Sequence, residues 1–154
     1  MRVRRLEPRD WNEWRRMRIA LWPEEPAAAY DGEMRAWHDR ADAHVFVAVR
    51  PDGSLCGFVE VGSRPYAEGC DTSPVGYIEG WYVDSDVRRQ GYGRALLEAA
   101  EDWARSAGYS EMGSDALLDN TLSHLAHRRS GYEEVERLVT FRKSLTSPRA
   151  DTSP

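Results

Sequence analysis

The sequence predicts a mixed α/β (α+β) domain, a mostly antiparallel sheet flanked by helices, and three observations carry that prediction. The run "HVFVAVRPDGSLCGFVEVGSRP" holds two β-rich stretches around Pro51-Asp52-Gly53-Ser54, which is hairpin chemistry. From Gly91 to Ala107, Leu96, Leu97, Ala100, Trp103, Ala104 and Ala107 make one apolar stripe at helical spacing. Strand-like and helix-like runs then alternate toward the end, and 154 residues is one domain's worth of chain.

Each element has its own signal. "RVRRLEP" alternates weakly and stops at Pro8, a first strand. "RDWNEWRRMRIALWP" spaces Trp11, Trp14, Met17, Ile19, Leu21 and Trp22 broadly as a helix, with Asp10 as its N-cap and Pro23 as its stop. "AAAYDGEMRAWHDRA" is a second helix, weakened inside by Gly32. After the hairpin, Tyr66 to Pro74 has loop composition and "VGYIEGWYV" is the next strand. Gly108 ends the amphipathic helix, "YSEMGSDA" is a short strand, and "NTLSHLAHRRSG" is a short helix capped at both ends. "YEEVERLVTFRKSL" reads as a final strand pair or one long strand. The domain is expected over 1–145, and "TSPRADTSP" (146–154) is a disordered tail or an expression scar.

A formal net charge of −5 argues against nucleic acid as the main partner and favours a cationic one. No run approaches the ~20 apolar residues of a membrane span, and "MRVRRLEPRD" has no apolar stretch for a signal peptide. A cytoplasmic location with no membrane partner is therefore expected. Cys56 and Cys70 are too few and too far apart for a disulfide framework or a CxxC metal site. Of His38, His44, His124 and His127, only the last two can share a helix face, where solvation accounts for them, so no metal is expected.

Against that acidic background stands "VRRQGYGRAL", Val87 to Leu96. A helix N-terminus exposes unpaired amides and carries about half a positive charge; glycines admit a ligand close to the backbone. Gly91 and Gly93 with Arg88, Arg89 and Arg94 supply those ingredients directly after a strand, although Leu96 stands where GxGxxG needs its third glycine and no Gly-Lys-Ser/Thr follows. On spacing alone, a plain basic helix start explains the stretch as well as an anion site does.

Arg88-x-x-Gly91-x-Gly93, between a strand and a helix, resembles the pyrophosphate-binding motif of GNAT-type N-acetyltransferases. Asn120 at the start of the next helix extends the likeness, as does "GYEEVER", similar to that family's Gly-Phe/Tyr entry into a late strand. The resemblance sharpens at "LWP", at "GCDTSPV" with "YIEGWYV", at "EMGSDA", and at "GYEEVER" with "FRK"; together these look like the aminoglycoside 6′-N-acetyltransferases.

That resemblance implies the GNAT fold, acetyl-CoA as cosubstrate, and a splayed strand pair that binds it. The backbone amides of Arg89, Gln90, Gly91, Tyr92, Gly93 and Arg94 would cradle the pyrophosphate, and backbone groups of Trp81, Tyr82 and Val83 would hold the pantetheine arm, leaving those side chains to core packing. Asn120 is implied as a further CoA contact, though an N-cap explains it equally, and Lys143 as a contact to a CoA phosphate. The acceptor is a polycationic aminosugar. Its ammonium must lose a proton before attack, and Asp115 is the first choice as base, with Glu79 as partner or water-orienter; the reverse assignment stays open. Without the resemblance, Glu79 fits a solvent-facing strand residue and Asp115 a turn or cap. Trp22, Tyr66 and Glu136 are implied as further substrate contacts, while Trp22 fits equally the last core residue of its helix.

Many members of the superfamily carry a tyrosine four residues before that Gly-Phe/Tyr pair, as acid to the leaving thiolate. Here the position is His127, so either His127 takes that task or the thiolate leaves unaided. No cysteine is required, so transfer is expected in a ternary complex without an acyl-Cys70 intermediate. The family also implies a homodimer. Acetylation of polyamines or other small amines, acetylation of a protein lysine or N-terminus, and a non-catalytic CoA-binding module stand as the alternatives.

Overall fold

The structure is a computed structural model that describes residues 1–146. Five strands form one sheet in the order in which the chain makes them: β1 (Arg2–Arg5), β2 (Ala43–Val49), β3 (Leu55–Arg64), β4 (Val75–Val83) and β5 (Met112–Ser114). The helices are α1 (Trp11–Leu21), α2 (Ala27–His38), α3 (Tyr92–Ser106) and α4 (Thr121–Arg129). All neighbouring strands run antiparallel except β4 and β5, whose parallel pairing follows from the long crossover through α3.

Alternation along the central strands builds two cores. Val45, Val47, Leu55 and Phe58 pack on one face against Trp14 and Met17 of α1 and Tyr30 and Met34 of α2. Ala48, Cys56, Val59, Val61 and Ile78 pack on the other against Leu96, Leu97 and Ala100 of α3. The β2–β3 hairpin closes at the expected turn, where Gly53 takes φ +90 and Asp52 accepts from the Ser54 amide at 2.9 Å. At the end of α4, Gly131 takes φ +88 and the Tyr132 amide donates to the His127 carbonyl, a glycine-closed terminus as the sequence indicates.

Two expectations are corrected. Asp10 stands at the N-cap of α1 but its side chain makes no cap bond to that helix; its carboxylate accepts Arg4 at 2.6 and 3.0 Å and the Glu7 amide at 2.8 Å, the latter closing a capping box over the short 3-10 turn Pro8–Asp10. It ties β1 to the entrance of the helix instead. After α4, no strand forms among the described residues: 133–146 are irregular and exposed. Val139 and Phe141, 71% and 93% exposed, have strand chemistry but no strand to pair with, and a strand exists only when an edge receives it. Of the expected tail 146–154, residues 147–154 lie outside those described.

Two irregularities shape the middle of the sheet. The β3–β4 register shifts between Glu60 and Val61, which face Gly80 and Ile78, so Glu79 is left unpaired as a bulge. On the opposite edge, β5 pairs with β4 only from Gly76 to Ile78. Beyond Ile78 the two parallel strands part.

Candidate active site

The parting of β4 and β5 leaves Gly80 to Val83 paired with β3 and, among the described residues, with no strand on their other edge. Asp84 ends that strand under firm anchorage. It receives Arg16 at 3.0 and 3.1 Å, Arg50 at 3.1 Å and the Tyr82 hydroxyl at 3.0 Å. Burial pushes its pKa up, but the bonds from Arg16, Tyr82 and Arg50 outweigh burial and hold the carboxyl below the usual carboxylate range.

A single 3-10 turn, Ser85–Val87, then leads into the arginine-glycine stretch. Arg89 takes φ +64 and Gly91 φ +90, two left-handed steps that turn the chain into α3. Tyr92 is buried in the core, while Arg94 is exposed and pairs with Glu98 at 3.0 Å. What this turn offers an anion is therefore mainly backbone amide and helix dipole. Gly93 lies against Trp81: a Cβ there would stand 3.3 Å from the indole, whose Nε1 donates to the Gly93 carbonyl at 3.1 Å. This contact clamps the free part of β4 to the first turn of α3. Of the backbone groups expected to hold a pantetheine arm, the Val83 carbonyl already accepts from Arg88 Nε at 3.0 Å. The open edge and the glycine turn fit the elongated, anionic shape of a CoA molecule.

Carboxylates gather on the acceptor side. The bulge presents Glu79 to Arg64, whose Nε and Nη2 each donate to it at 2.7 Å. The same guanidinium lies 3.6 Å from the centre of the Tyr77 ring, and Tyr77 Oη donates to Asp115 at 2.6 Å. Burial and the neighbouring Asp115 push the Tyr77 hydroxyl well above its usual range, so it acts as a fixed donor. Glu79 and Asp115 are thus joined through one arginine and one tyrosine.

Arg64, Tyr77, Asp115 and Glu136 line one open cleft of ≈1370 Å³; Trp22, Tyr66 and Glu79 fall outside its lining. Glu136 reaches that cleft because Val135 packs on Gly69, where a Cβ would lie 2.6 Å away. Tyr66 is 65% exposed. The Trp22 ring lies over Gly80, 2.7 Å from where a Cβ would stand, and packs edge-on to Phe58. It is a wall beneath the bulge and a core residue at once. Asn120 accepts from the Ser123 amide at 3.1 Å, the capping role, and Lys143 is exposed on the extended segment.

His127 stands where β4 and β5 part. Its Nδ1 lies 2.7 Å from the Ser123 carbonyl, which can only accept, so Nδ1 carries the proton; Nε2 lies 2.8 Å from Ser114 Oγ. Its ring packs edge-on to Trp81 and Tyr132. Among the described residues, no group of three or more His, Cys, Asp or Glu side chains is placed to hold a metal ion, and no helix is long and apolar enough to cross a membrane.

Arg64, Tyr77, Arg18 and Glu60 were not legible as site residues. Glu60 is 1% exposed on β3 and accepts from Trp14 Nε1 at 3.0 Å. Arg18 Nε lies 2.8 Å from it, and the Arg18 guanidinium stacks 4.9 Å from the Trp22 ring. Burial pushes the Glu60 carboxyl up, with Arg18 and Trp14 pulling against it. Tyr77 alone had a signal, since it shares a strand face with Glu79 two residues on.

The arrangement agrees with what the chain is similar to. The model of the acetyltransferase (GNAT) family matches residues 11–132. The chain belongs to that family. As a GNAT acetyltransferase it is 42% identical over 146 residues to an aminoglycoside N(6′)-acetyltransferase type 1 of Klebsiella aerogenes, covering 93% of this chain and 96% of that one. A relative of the same description from Stenotrophomonas maltophilia is also 42% identical, over 93% of each chain. Its GNAT fold superposes on the crystal structure of aminoglycoside antibiotic 6′-N-acetyltransferase AAC(6′)-IG from Acinetobacter haemolyticus with a TM-score of 0.88, at 34% identity over 94% and 99% of the two chains. AAC(6′)-Iy, solved in complex with the bisubstrate analogue CoA-S-monomethyl-acetylneamine, gives a TM-score of 0.87 at 33% identity over 93% and 97%.

Proposed function

We propose that this GNAT enzyme transfers the acetyl group of acetyl-CoA to the 6′-amine of aminoglycoside antibiotics, conferring resistance. The observation that carries the reading is the parting of β4 and β5. The free edge it leaves runs between the glycine turn at Arg89–Arg94 and the cleft lined by Asp115 and Glu136, which supports reading the first as an anion site and the second as an acceptor site. The named relatives, with a bisubstrate complex among them, point to the same pair of substrates.

In this reading the thioester lies along Trp81–Val83 and the 6′-amine attacks it directly in a ternary complex. Asp115 is the base: it is exposed, and Tyr77 fixes its orientation. Glu79, already bridged to Arg64, orients the amine, and Glu136 adds negative charge for the remaining ammonium groups. Trp22 and Tyr66 offer walls to the sugar rings, and Asn120 and Lys143 reach CoA. The reaction runs in the cytoplasm, a reading that use of acetyl-CoA supports, in one catalytic domain over 1–145.

The working form is a homodimer. β5 pairs with β4 on one edge, and the exposed apolar arm 133–146 of the same chain lies unpaired beyond α4. A second copy that takes this arm would bury Leu138, Val139 and Phe141 and complete the sheet. Light scattering of the full chain should give twice the monomer mass and deletion of 133–154 the monomer mass; a monomeric full chain overturns the assembly.

The activity is tested by release of CoA thiol with kanamycin, with its 6′-hydroxyl analogue and with spermidine. Thiol release with kanamycin alone establishes the 6′-amine as acceptor. Release with spermidine alone, or with none, overturns the reading.

A further inference from the structure

A cation already sits at the edge of the acceptor cleft: Arg64 lines it and separates it from Glu79, which lies one side chain outside. The Arg64 guanidinium holds Glu79 through two bonds of 2.7 Å and lies 3.6 Å from the centre of the Tyr77 ring, and Tyr77 in turn holds Asp115 at 2.6 Å. A planar cation that forks onto a carboxylate and stacks on an aromatic face makes, within the chain, the contacts a substrate ammonium would seek. Arg64 is also free to leave. It is the last residue of β3, its side chain is 38% exposed, and among the described residues its other contact is the Tyr77 ring. We infer that Arg64 is a resident counter-cation of the acceptor cleft: substrate ammonium displaces it from Glu79, and it thereby sets specificity for polycations. This deepens the aminoglycoside reading and rests on it.

The consequence is competition. An amine with a single positive charge must exchange one ion pair for another of similar worth, because a partly exposed pair is worth little net. An aminosugar with several ammonium groups also gains Asp115 and Glu136, which Arg64 does not occupy. Exchange at Glu79 is then driven by the neighbouring pairs, and mono-amines are held out without any steric barrier.

Steady-state kinetics and calorimetric titration with kanamycin test this on Arg64→Gln. Loss of the competitor should lower both KM and Kd for kanamycin about three- to tenfold, the worth of a partly exposed charge-assisted pair. Arg64→Lys, which keeps the charge but not the fork, should fall between the two. Arg40→Gln removes an equal charge nearby, from a side chain bound to Asp42 and the Ser63 carbonyl, and should leave KM and Kd unmoved. Melting temperature reports whether each variant folds. An unchanged or raised KM and Kd in a folded Arg64→Gln overturns the inference while the aminoglycoside reading stands. An equal gain in Arg40→Gln also overturns it, since bulk charge would then be the cause. A wild type that neither binds nor acetylates kanamycin overturns both.

Discussion

The two sides of the cleft are built by opposite means. In the proposed function the anion side is one contiguous stretch, Trp81 to Arg94, that works through backbone: a free strand edge, two left-handed residues and a helix start. The acceptor side is assembled from side chains on β3, β4, the turn after β5 and the arm beyond α4, which chain order keeps far apart. Contiguous backbone sites are set by local conformation. Assembled side-chain sites depend on register, on the bulge at Glu79 and on which residues occupy the space between them.

That contrast predicts separable failures. The largest effect is expected at Asp115→Asn, which should lower kcat/KM for kanamycin by about 10²- to 10⁴-fold, the usual worth of a positioned base. Acetyl-CoA binding, read by titration, should hold; a matching loss there would break the division. Gly91→Val should do the reverse. Its φ of +90 strains any β-branched residue by about 1–3 kcal/mol, so CoA binding should weaken about five- to 100-fold while kanamycin binding is kept. Glu79→Gln should cost about tenfold in kcat/KM, the effect of a group that orients the amine rather than accepts its proton.

Smallest is a pH effect on stability at the anchor of the anion side. The folded pKa of Asp84 is depressed, because Arg16, Tyr82 and Arg50 together outweigh its burial. Its contribution is complete above the unfolded value and is lost as pH falls through the folded one. The melting temperature should therefore fall on acidification below about pH 4, and Asp84→Asn should flatten that slope. The acceptor side predicts no such acid loss from Glu60. Burial raises its carboxyl, so its contribution is present in acid and declines as pH rises through the folded pKa.

The same contrast explains what the sequence could tell. The turn between β4 and α3 was legible as a strand-helix boundary because its glycines lie within ten residues and conformation there is local; its reading as an anion site came from the resemblance. Glu79 and Asp115 entered as candidates only through resemblance, since nothing local marks either one; the structure links them through Arg64 and Tyr77. Arg64 and Glu60 were hidden: one acts across a bulge whose place the pattern of "VGYIEGWYV" does not reveal, and the other reads as a solvent-facing strand residue. The missing last strand has the same origin. Val139 and Phe141 carry strand propensity, but pairing depends on an edge elsewhere. Asp10 keeps the N-cap position the pattern gives it, but its carboxylate is taken by Arg4, six residues earlier, and by the Glu7 amide instead of bonding the amides of α1.

The buried pair beneath the bulge bears on how this enzyme can change. Trp14 bonds Glu60, Glu60 pairs with Arg18, and Arg18 stacks on Trp22, the wall under Gly80. Replacing Glu60 or Arg18 leaves the other's charge unpaired inside the core, a loss of about 3–5 kcal/mol, which is a large share of a small domain's stability. Replacing Trp22 keeps that pair but removes the ring on which Arg18 stacks and which packs on Phe58, so a reshaped wall costs core packing. Under antibiotic selection, a wider or shifted drug range is reached more readily at exposed side chains such as Tyr66 and Glu136 than at their buried neighbour Ala67, which belongs to a small core of its own with Val75 and Tyr77.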